Sequence, residues 1–452
     1  MTSVRTFKVP NKYLSLLTAS EKKMLPHLIE AVKGVDKIYQ LQENNINNGA
    51  NFYPRDAIKT EIEKAAKKNP KILSPFTIVK RNSKSQLVVN EYHKEYQKLL
   101  KPISINLKRA AKICKNKSFK KYLETLANAL IDGSYKKADI AWLKVKNTHL
   151  DIVIGPYERY LDKLFFKKMA YQGCVGITDI ERTQRGREIR DILYTTFGDK
   201  PHRVISPSIV DIQVKVTFII SGFLGRAVFT QQHLPSDSET IETHGSKIIG
   251  YLSSIDYKFE KLIYPIFNNV FEKNFRTRYK KDSIKNGNYY VILLTGIVQQ
   301  LHRYKGSRER LKELFPIFDE ANTVVSGIQH AKHLVLKGVI GQKELESMMV
   351  AQLCWMFSEV INTRKLSTRE VYLKGDSLVY NFLLEVGALR VHEGISWPNF
   401  AKMFFEMENL ASIFTRILEE GTYKEASDFL DKYFSLEPLK TFNSKLAVIK
   451  PI

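Results

Sequence analysis

The sequence contains a single His-Glu pair, His392-Glu393. The metal-binding helices of zinc peptidases combine such a pair with a second His one turn later, so that both imidazoles share a helix face. Ser396 stands where that second His should be, so we interpret the dipeptide as a chance pair near a turn. His330 and His333 share a face at i,i+3 spacing, and we interpret them, like His302, as solvated or core histidines.

Other catalytic signatures are missing from the sequence. It has no nucleophile elbow, phosphate-binding loop or Cys-x-x-Cys motif, and its glycine pairs are too sparse for more than turns. The three cysteines, Cys114, Cys174 and Cys354, are odd in number and widely spaced. This usage is typical of a reducing compartment, and the first residues show no secretory signal, so we expect a cytoplasmic protein.

The length and composition predict a folded, helix-rich protein. With 452 residues, of which 44% are hydrophobic, the chain can bury the core of two or three packed lobes. The longest apolar runs are interrupted by Lys, Gly and Arg, which argues against a membrane span. Periodicity predicts a mixed α+β region over residues 1–255 and a mainly helical region over 256–452.

Several elements of the first region are predicted individually. Residues 76–79 and 86–89 are expected to form a short hairpin, and residues 149–154 a strand that leads into the segment around residue 158. Residues 161–173 are predicted to be helical, whereas 209–221 and 226–230 are predicted to be strands.

Six motifs, in a consistent order over about 330 residues, carry a resemblance to a known family. They are Phe52-Tyr53-Pro54-Arg55-Asp56, Gly155-Pro156-Tyr157-Glu158-Arg159-Tyr160-Leu161-Asp162, His233-Leu234-Pro235-Ser236-Asp237, Gly245-Ser246-Lys247, Phe318-Asp319-Glu320-Ala321, and Lys374-Gly375-Asp376 with Tyr380-Asn381 and Glu385-Val386-Gly387-Ala388. Together they resemble segments of bacterial dipeptidyl peptidase III-like zinc peptidases. The resemblance implies an α-rich α+β fold of the metallopeptidase type, with a mixed lobe and an all-helical lobe on either side of a cleft.

The same resemblance locates a degenerate zinc site. Thr295, Gly296 and Gln299 stand where the family carries its His-Glu-x-x-His ligands and catalytic base, and Glu320 stands at the position of the third ligand. A threonine, a glycine and a neutral amide are poor zinc donors, so we expect zinc to be lost and no cofactor to replace it. Tyr372 takes the place of a family histidine that stabilises the oxyanion.

The substrate-holding residues of the family are better preserved. Glu158 and Tyr160 match a Glu and a Tyr that clasp the free α-amine and backbone of a bound peptide. A carboxylate pairs with an ammonium group, and a phenol adds a directed hydrogen bond. The alternative is that Glu158 merely pairs with a nearby basic residue. His233 and Ser236 replace two peptide-binding asparagines, which leaves the old subsites in question.

The formal charge of +24 favours acidic partners. Three clusters of Lys and Arg contribute, at residues 108–121, 276–285 and 303–310. No recognisable nucleic-acid module accompanies them, so a nucleic-acid partner is not expected. The sequence does not indicate an oligomeric state.

Three hypotheses about function follow. The first is a zinc-less relative of the family that binds a peptide or protein segment in the cleft without catalysis. The second is a metal-independent enzyme that acts on a small molecule in the same cleft, with Glu320 as base and Tyr372 as acid. The third is residual dipeptidyl-peptidase activity.

Overall fold

The computed structural model describes residues 2–43, 50–198, 210–364, 369–395 and 397–452. The chain divides into two compact units. Unit 1 comprises residues 1–183, 213–229 and 233–253, and unit 2 comprises 184–212, 230–232 and 254–452. The stretch 184–212, which the sequence places with the mixed region, therefore groups with the helical unit.

The strands form two sheets. Their bounds are β1 Arg5–Thr6, β2 Thr77–Arg81, β3 Leu87–Glu91, β4 Leu150–Glu158, β5 Ala170–Thr178, β6 Val210–Gly222, β7 Gln231–Leu234 and β8 Ser246–Tyr251. The larger sheet has the order β4-β5-β6-β8-β7, with β1 paired to β6, and β2 and β3 form the predicted hairpin. β4 runs antiparallel to β5, and the register shifts between Pro156 and Glu158. Such a bulge re-aims the side chains that follow it.

Helices make up most of the remaining chain. In its first half they are α1 Asn11–Leu14, α2 Ala19–Glu43, α3 Lys59–Lys68, α4 Tyr92–Glu95, α5 Gln97–Ile113, α6 Lys117–Asp132, α7 Tyr135–Leu143, α8 Ile180–Phe197, α9 Phe223–Ala227, α10 Ser238–His244 and α11 Leu252–Lys258. In its second half they are α12 Tyr264–Val270, α13 Lys273–Arg276, α14 Lys281–Leu301, α15 Ser307–Leu311, α16 Phe315–Leu336, α17 Gln342–Asn362, α18 Glu370–Glu385, α19 Phe400–Glu419, α20 Tyr423–Tyr433, α21 Glu437–Lys440 and α22 Asn443–Ala447. The predicted helix-rich α+β class is confirmed.

Two predicted elements of the first region are wrong. Residues 161–173 are not a helix, because the carboxylate of Asp162 accepts hydrogen bonds from the backbone N–H groups of residues 164, 165, 167 and 168. These bonds compete with the helical ladder and hold a loop, after which β5 begins at Ala170. Residues 226–230 are not a strand either, since α9 extends to Ala227 and β7 starts at Gln231.

Unit 1 contains a buried ion pair in its core. Lys215 on β6 is fully buried and contacts the carboxylate of Asp151 on β4. The indole N–H of Trp142 donates to the same carboxylate, 3.1 Å from Oδ1. The two buried charges are thus paired, and the indole N–H adds a hydrogen bond to the carboxylate, which lowers the cost of burying it.

In unit 2, α14 and α16 carry the positions of the degenerate zinc site. They approach each other closely at Gly327, where an added Cβ would lie 3.9 Å from the Thr295 methyl group. α14 packs still more tightly on α17, because a Cβ at Gly287 would overlap the backbone of Ser347. Within the described parts of the chain, none of the helices combines the length and apolar character that a membrane crossing requires.

Candidate functional site

The end of β4 brings together three of the four residues predicted to bind a ligand. The Glu158 carboxylate accepts a hydrogen bond from the Tyr160 backbone N–H, 2.9 Å away. Next to it, the Arg159 guanidinium donates to the Ser236 carbonyl at 3.1 Å, and the Ser236 hydroxyl donates to the Tyr157 carbonyl at 3.0 Å. Glu158, Tyr160 and Ser236 therefore belong to one hydrogen-bonded segment of unit 1, which we call the β4-end cluster.

His233 lies on the last strand of the sheet. Its Nε2 is 2.6 Å from the hydroxyl of Ser246 on β8. This contact ties the imidazole to the neighbouring strand.

The β4-end cluster has an electrostatic neighbour that sequence reasoning missed. The Arg226 Nε lies 2.6 Å from the Glu43 carboxylate, and the Tyr39 hydroxyl donates to that carboxylate at 3.2 Å. Burial raises the pKa of Tyr39, and the charges of Glu43 and Glu158 raise it further, while Arg226 opposes them. Glu158 is thus close enough to influence this network. Tyr39 and Glu43 lie one turn apart on α2, but Arg226 and Glu158 come from distant segments, so no local pattern could have indicated the network.

The position of the family's catalytic base is filled by another side chain. Gly296 lies on α14, and a Cβ added there would overlap the side-chain amide of Gln231. Gln231 opens β7, and nothing in the sequence links it to residue 296. The missing side chain at position 296 is therefore matched by a glutamine that occupies its space.

The remaining zinc-site positions are engaged within unit 2. The Thr295 hydroxyl donates to the Ile292 carbonyl at 2.9 Å. The Gln299 amide hydrogen-bonds the Asp319 carboxyl group, whose pKa is raised by burial despite Arg303, Arg308 and this bond. Thr295 thus hydrogen-bonds a carbonyl group of its own helix, and Gln299 hydrogen-bonds a neighbouring carboxyl group, as polar side chains with a structural role do.

Glu320 and Tyr372, the candidate acid–base pair, share an environment with Arg369. The Arg369 guanidinium lies over the Tyr372 ring, 3.9 Å from its centroid, and forms a two-pronged ion pair with Glu359. Burial alone would lower the pKa of Arg369, but Glu359, Tyr372 and Glu320 raise it. Sequence reasoning did not single out Arg369 or Glu359.

These residues do not fit a zinc ion. Among the side chains that the structure describes, no group of three or more His, Cys, Asp and Glu is arranged to hold a metal. The positions of two ligands carry a threonine and an amide, and the base position is packed against Gln231. A catalytic zinc site needs three protein donors and an open fourth position.

The histidines do not rebuild such a site within unit 2. His302 and His330 are buried, with ring centroids 5.5 Å apart, and His333 Nε2 lies 3.0 Å from the Thr196 hydroxyl on α8. His392-Glu393 is exposed, and Glu393 has a φ of 55°, so the pair lies in a turn.

A basic surface surrounds the turn between α5 and α6 in unit 1. Asn116 caps α6 by accepting from the Phe119 N–H at 2.9 Å, and its amide donates to the Lys146 carbonyl at 2.9 Å. The capping residue therefore holds the loop after α7 beside the turn between α5 and α6. The exposed cations there are Lys108, Arg109, Lys112, Lys115, Lys117, Lys120, Lys121, Lys144 and Lys146.

The fold is of the type found in dipeptidyl peptidase III. The model of Peptidase family M49 matches residues 18–191. The fold resembles that of dipeptidyl peptidase III from Caldithrix abyssi, with a TM-score of 0.81, 24% identity, and coverage of 97% of this chain and 95% of that one. It also resembles the enzyme from Corallococcus sp. strain EGB, with a TM-score of 0.81, 22% identity, and coverage of 99% and 94%.

A curated relative extends beyond this chain. Nudix hydrolase 3 of Arabidopsis thaliana is 26% identical over 469 residues, which cover 95% of this chain. The chain spans 60% of the length of that relative. Taken together, the comparisons confirm the predicted resemblance to dipeptidyl peptidase III.

Proposed function

We propose that this protein binds the N-terminal part of a peptide or protein segment through the β4-end cluster and does not hydrolyse it. The observation that carries the proposal is the fixed carboxylate of Glu158. Its orientation is set by the Tyr160 backbone N–H at 2.9 Å. A carboxylate held in place by its own loop loses little entropy when it pairs with an ammonium group.

The sheet topology supports an extended ligand. β7 is the last strand in the order of the larger sheet, so one of its edges has no strand partner among the described residues. An extended peptide can add to such an edge through main-chain hydrogen bonds. His233 and Ser236, at and just after the end of β7, would then contact side chains of the peptide. The ligand would be a cytoplasmic peptide, and acidic residues within it would suit the net charge of +24.

The absence of hydrolysis in this proposal rests on unit 2. Gln231 fills the space beside Gly296, and Gln299 is bonded to Asp319, so these positions offer neither a general base nor a good metal ligand. The alternative of a metal-independent enzyme assigns the base to Glu320 and the acid to Tyr372. It predicts that Glu320→Gln and Tyr372→Phe each abolish turnover of a small molecule.

The test compares a fluorescent pentapeptide with a free N-terminus and its acetylated form, by anisotropy at constant ionic strength. Wild-type protein should bind the peptide with the free N-terminus at least about tenfold more tightly than the acetylated peptide, since hydrogen bonds to charged groups contribute about 1.5–3 kcal/mol. Glu158→Gln should remove that difference. The matched control, Glu124→Gln on the exposed face of α6, should preserve it.

Equal affinity for the two peptide forms would contradict the proposal. The claim that the peptide is not hydrolysed is tested by mass spectrometry of the same mixtures with zinc added. Release of a dipeptide by wild-type protein would show that hydrolysis survives.

A further inference from the structure

We infer that Arg369 is the resident cation of unit 2, a guanidinium that compensates the carboxylates around the degenerate zinc site and replaces the charge of a metal ion there. This inference does not depend on peptide binding in unit 1. It assigns to Arg369 a positioning role that no motif in the sequence indicates.

The pairing of Arg369 with Glu359 is the first support. Nε of Arg369 donates to Oε2 of Glu359 at 2.7 Å, and the second nitrogen, Nη2, donates to Oε1. Both side chains are more than nine-tenths buried, at 8% and 3% exposure. A buried carboxylate is costly unless a cation and hydrogen bonds accompany it, and this fork-shaped pair supplies both.

The orientation of the guanidinium is fixed by Tyr372. The two residues lie three positions apart at the start of α18, and the guanidinium carbon is 3.9 Å from the ring centroid. Stacking on an aromatic face holds the plane of an arginine in a way that a lysine could not reproduce. The position that the family gives to an oxyanion-stabilising histidine thus serves here to support a cation.

The close approach of α18 to α16 brings two more carboxyl groups to this cation. A Cβ at Gly375 would lie 3.0 Å from the Ile317 carbonyl oxygen and 3.2 Å from the Ala321 amide nitrogen. Asp376 follows Gly375, and Glu320 precedes Ala321, so both flank the contact. The raised pKa of Asp376 has burial as its main cause, with Glu359 and Glu320 adding to it and Arg369 opposing them. Asp376 therefore interacts with Glu359, with Glu320 and with the guanidinium, and the guanidinium interacts with both glutamates.

The chemical nature of this cation has a functional consequence. Grouped carboxylates repel one another, and proteins often relieve the repulsion with a divalent cation. A guanidinium relieves it as well, but it has no vacant coordination position and does not lose its proton in proteins. Unit 2 would then fold without metal and could not acidify water at this place.

The test is a double-mutant cycle between positions 320 and 369, in which the Tm of each variant is measured by thermal unfolding in metal-free buffer. Arg369→Gln should lower Tm by roughly 5 °C or more, since it leaves buried carboxylates uncompensated. In that background Glu320→Gln should raise Tm, whereas in wild type it should lower Tm or leave it unchanged. Mn²⁺ should raise the Tm of Arg369→Gln more than that of wild type.

Arg416→Gln is the matched control, because Arg416 pairs with Glu425 at 2.9 Å on the surface. It should change Tm little and show no coupling to position 320. An equal effect of Glu320→Gln in the wild-type and Arg369→Gln backgrounds would overturn the inference. If Arg369→Gln does not fold, Arg369→Lys replaces it in the cycle. Because the positive charge persists in Arg369→Lys, Glu320→Gln should change Tm in that background as it does in wild type. A rise in Tm when Glu320→Gln is added to Arg369→Lys would refute the inference.

Discussion

Each unit buries an ion pair, but the two pairs have different surroundings. In unit 1, Lys215 and Asp151 lie within the sheet, and the candidate ligand-binding residues gather separately at the end of β4. In unit 2, Arg369 of the pair contacts Tyr372 and interacts with Glu320, two positions to which the resemblance assigns catalytic or zinc-binding roles. In unit 1 the buried pair is thus separate from the side chains proposed to bind a ligand. In unit 2 the positions of the degenerate zinc site are half-buried, apart from the buried Gly296, and Tyr372 contacts the buried pair through Arg369.

The largest expected effect concerns the pair in unit 1. Lys215→Met leaves the Asp151 carboxylate buried with only the Trp142 N–H, so the free energy of unfolding should fall by about 3–5 kcal/mol. Urea unfolding followed by circular dichroism measures this. Lys285→Met, at an exposed pair with Asp256, should cost less than about 1 kcal/mol. Equal losses would mean that burial does not distinguish the two pairs.

A second prediction separates stability from binding within unit 1. Asp139 accepts a hydrogen bond from the Tyr157 hydroxyl at 2.7 Å, and burial raises its pKa to about 7. An acid with a raised folded-state pKa stabilises the fold below its unfolded pKa, and this contribution is lost as pH rises towards 7. Asp139→Asn should therefore gain stability relative to wild type between pH 4 and pH 7, by about 2–4 kcal/mol.

Chemical unfolding at several pH values follows that change. Peptide affinity should stay the same in Asp139→Asn, because Asp139 supports β4 but does not belong to the β4-end cluster. A pH-independent difference in stability would argue that the Asp139 carboxyl group does not titrate in this range.

The third prediction addresses the filled position in unit 2. Alanine is favoured over glycine inside helices by about 1 kcal/mol. Gly296→Ala should nevertheless destabilise the protein by about 1–3 kcal/mol, because its methyl group displaces the Gln231 amide. Adding Gln231→Ala should recover the loss. Gly327→Ala on α16, where the nearest atom is 3.9 Å away, is the control and should not destabilise.

The smallest expected effect is the response to chelation. With no fitting donor set among the zinc-site residues, dialysis against EDTA should leave the Tm of the wild-type protein unchanged, and added zinc should not raise it. Scanning calorimetry before and after dialysis measures both. A Tm that falls on chelation and returns with zinc would show that unit 2 holds a metal after all.

Local patterns were sufficient to predict the mainly helical character of the chain after residue 256 and the β2–β3 hairpin, because apolar periodicity reports which face of an element is buried. They failed at residues 161–173, where one carboxylate bonds four backbone amides. The pattern of side-chain polarity there resembles a helix. Only the loop geometry shows that the Asp162 side chain takes the place of the helical bonds.

The candidate site was predictable only in part for a similar reason. Glu158 and Tyr160 lie two residues apart, so a motif could find both. Gln231 and Gly296 are far apart in the chain, and their contact depends on tertiary packing within unit 2. Arg369 gives no signal of its own, because its role comes from Glu359 on a different helix and from the approach of α18 to α16.

The basic surface around the turn between α5 and α6 has a consequence for kinetics. If the ligand is the acidic peptide proposed above, the nine exposed cations of this surface would attract it from a distance of about one Debye length, roughly 8 Å at physiological ionic strength. Attraction of this kind speeds the first encounter and has little influence on how long a bound ligand stays. Added salt should therefore lower the association rate constant and leave the dissociation rate constant nearly unchanged. Discrimination between ligands by this surface would then arise from their association rates.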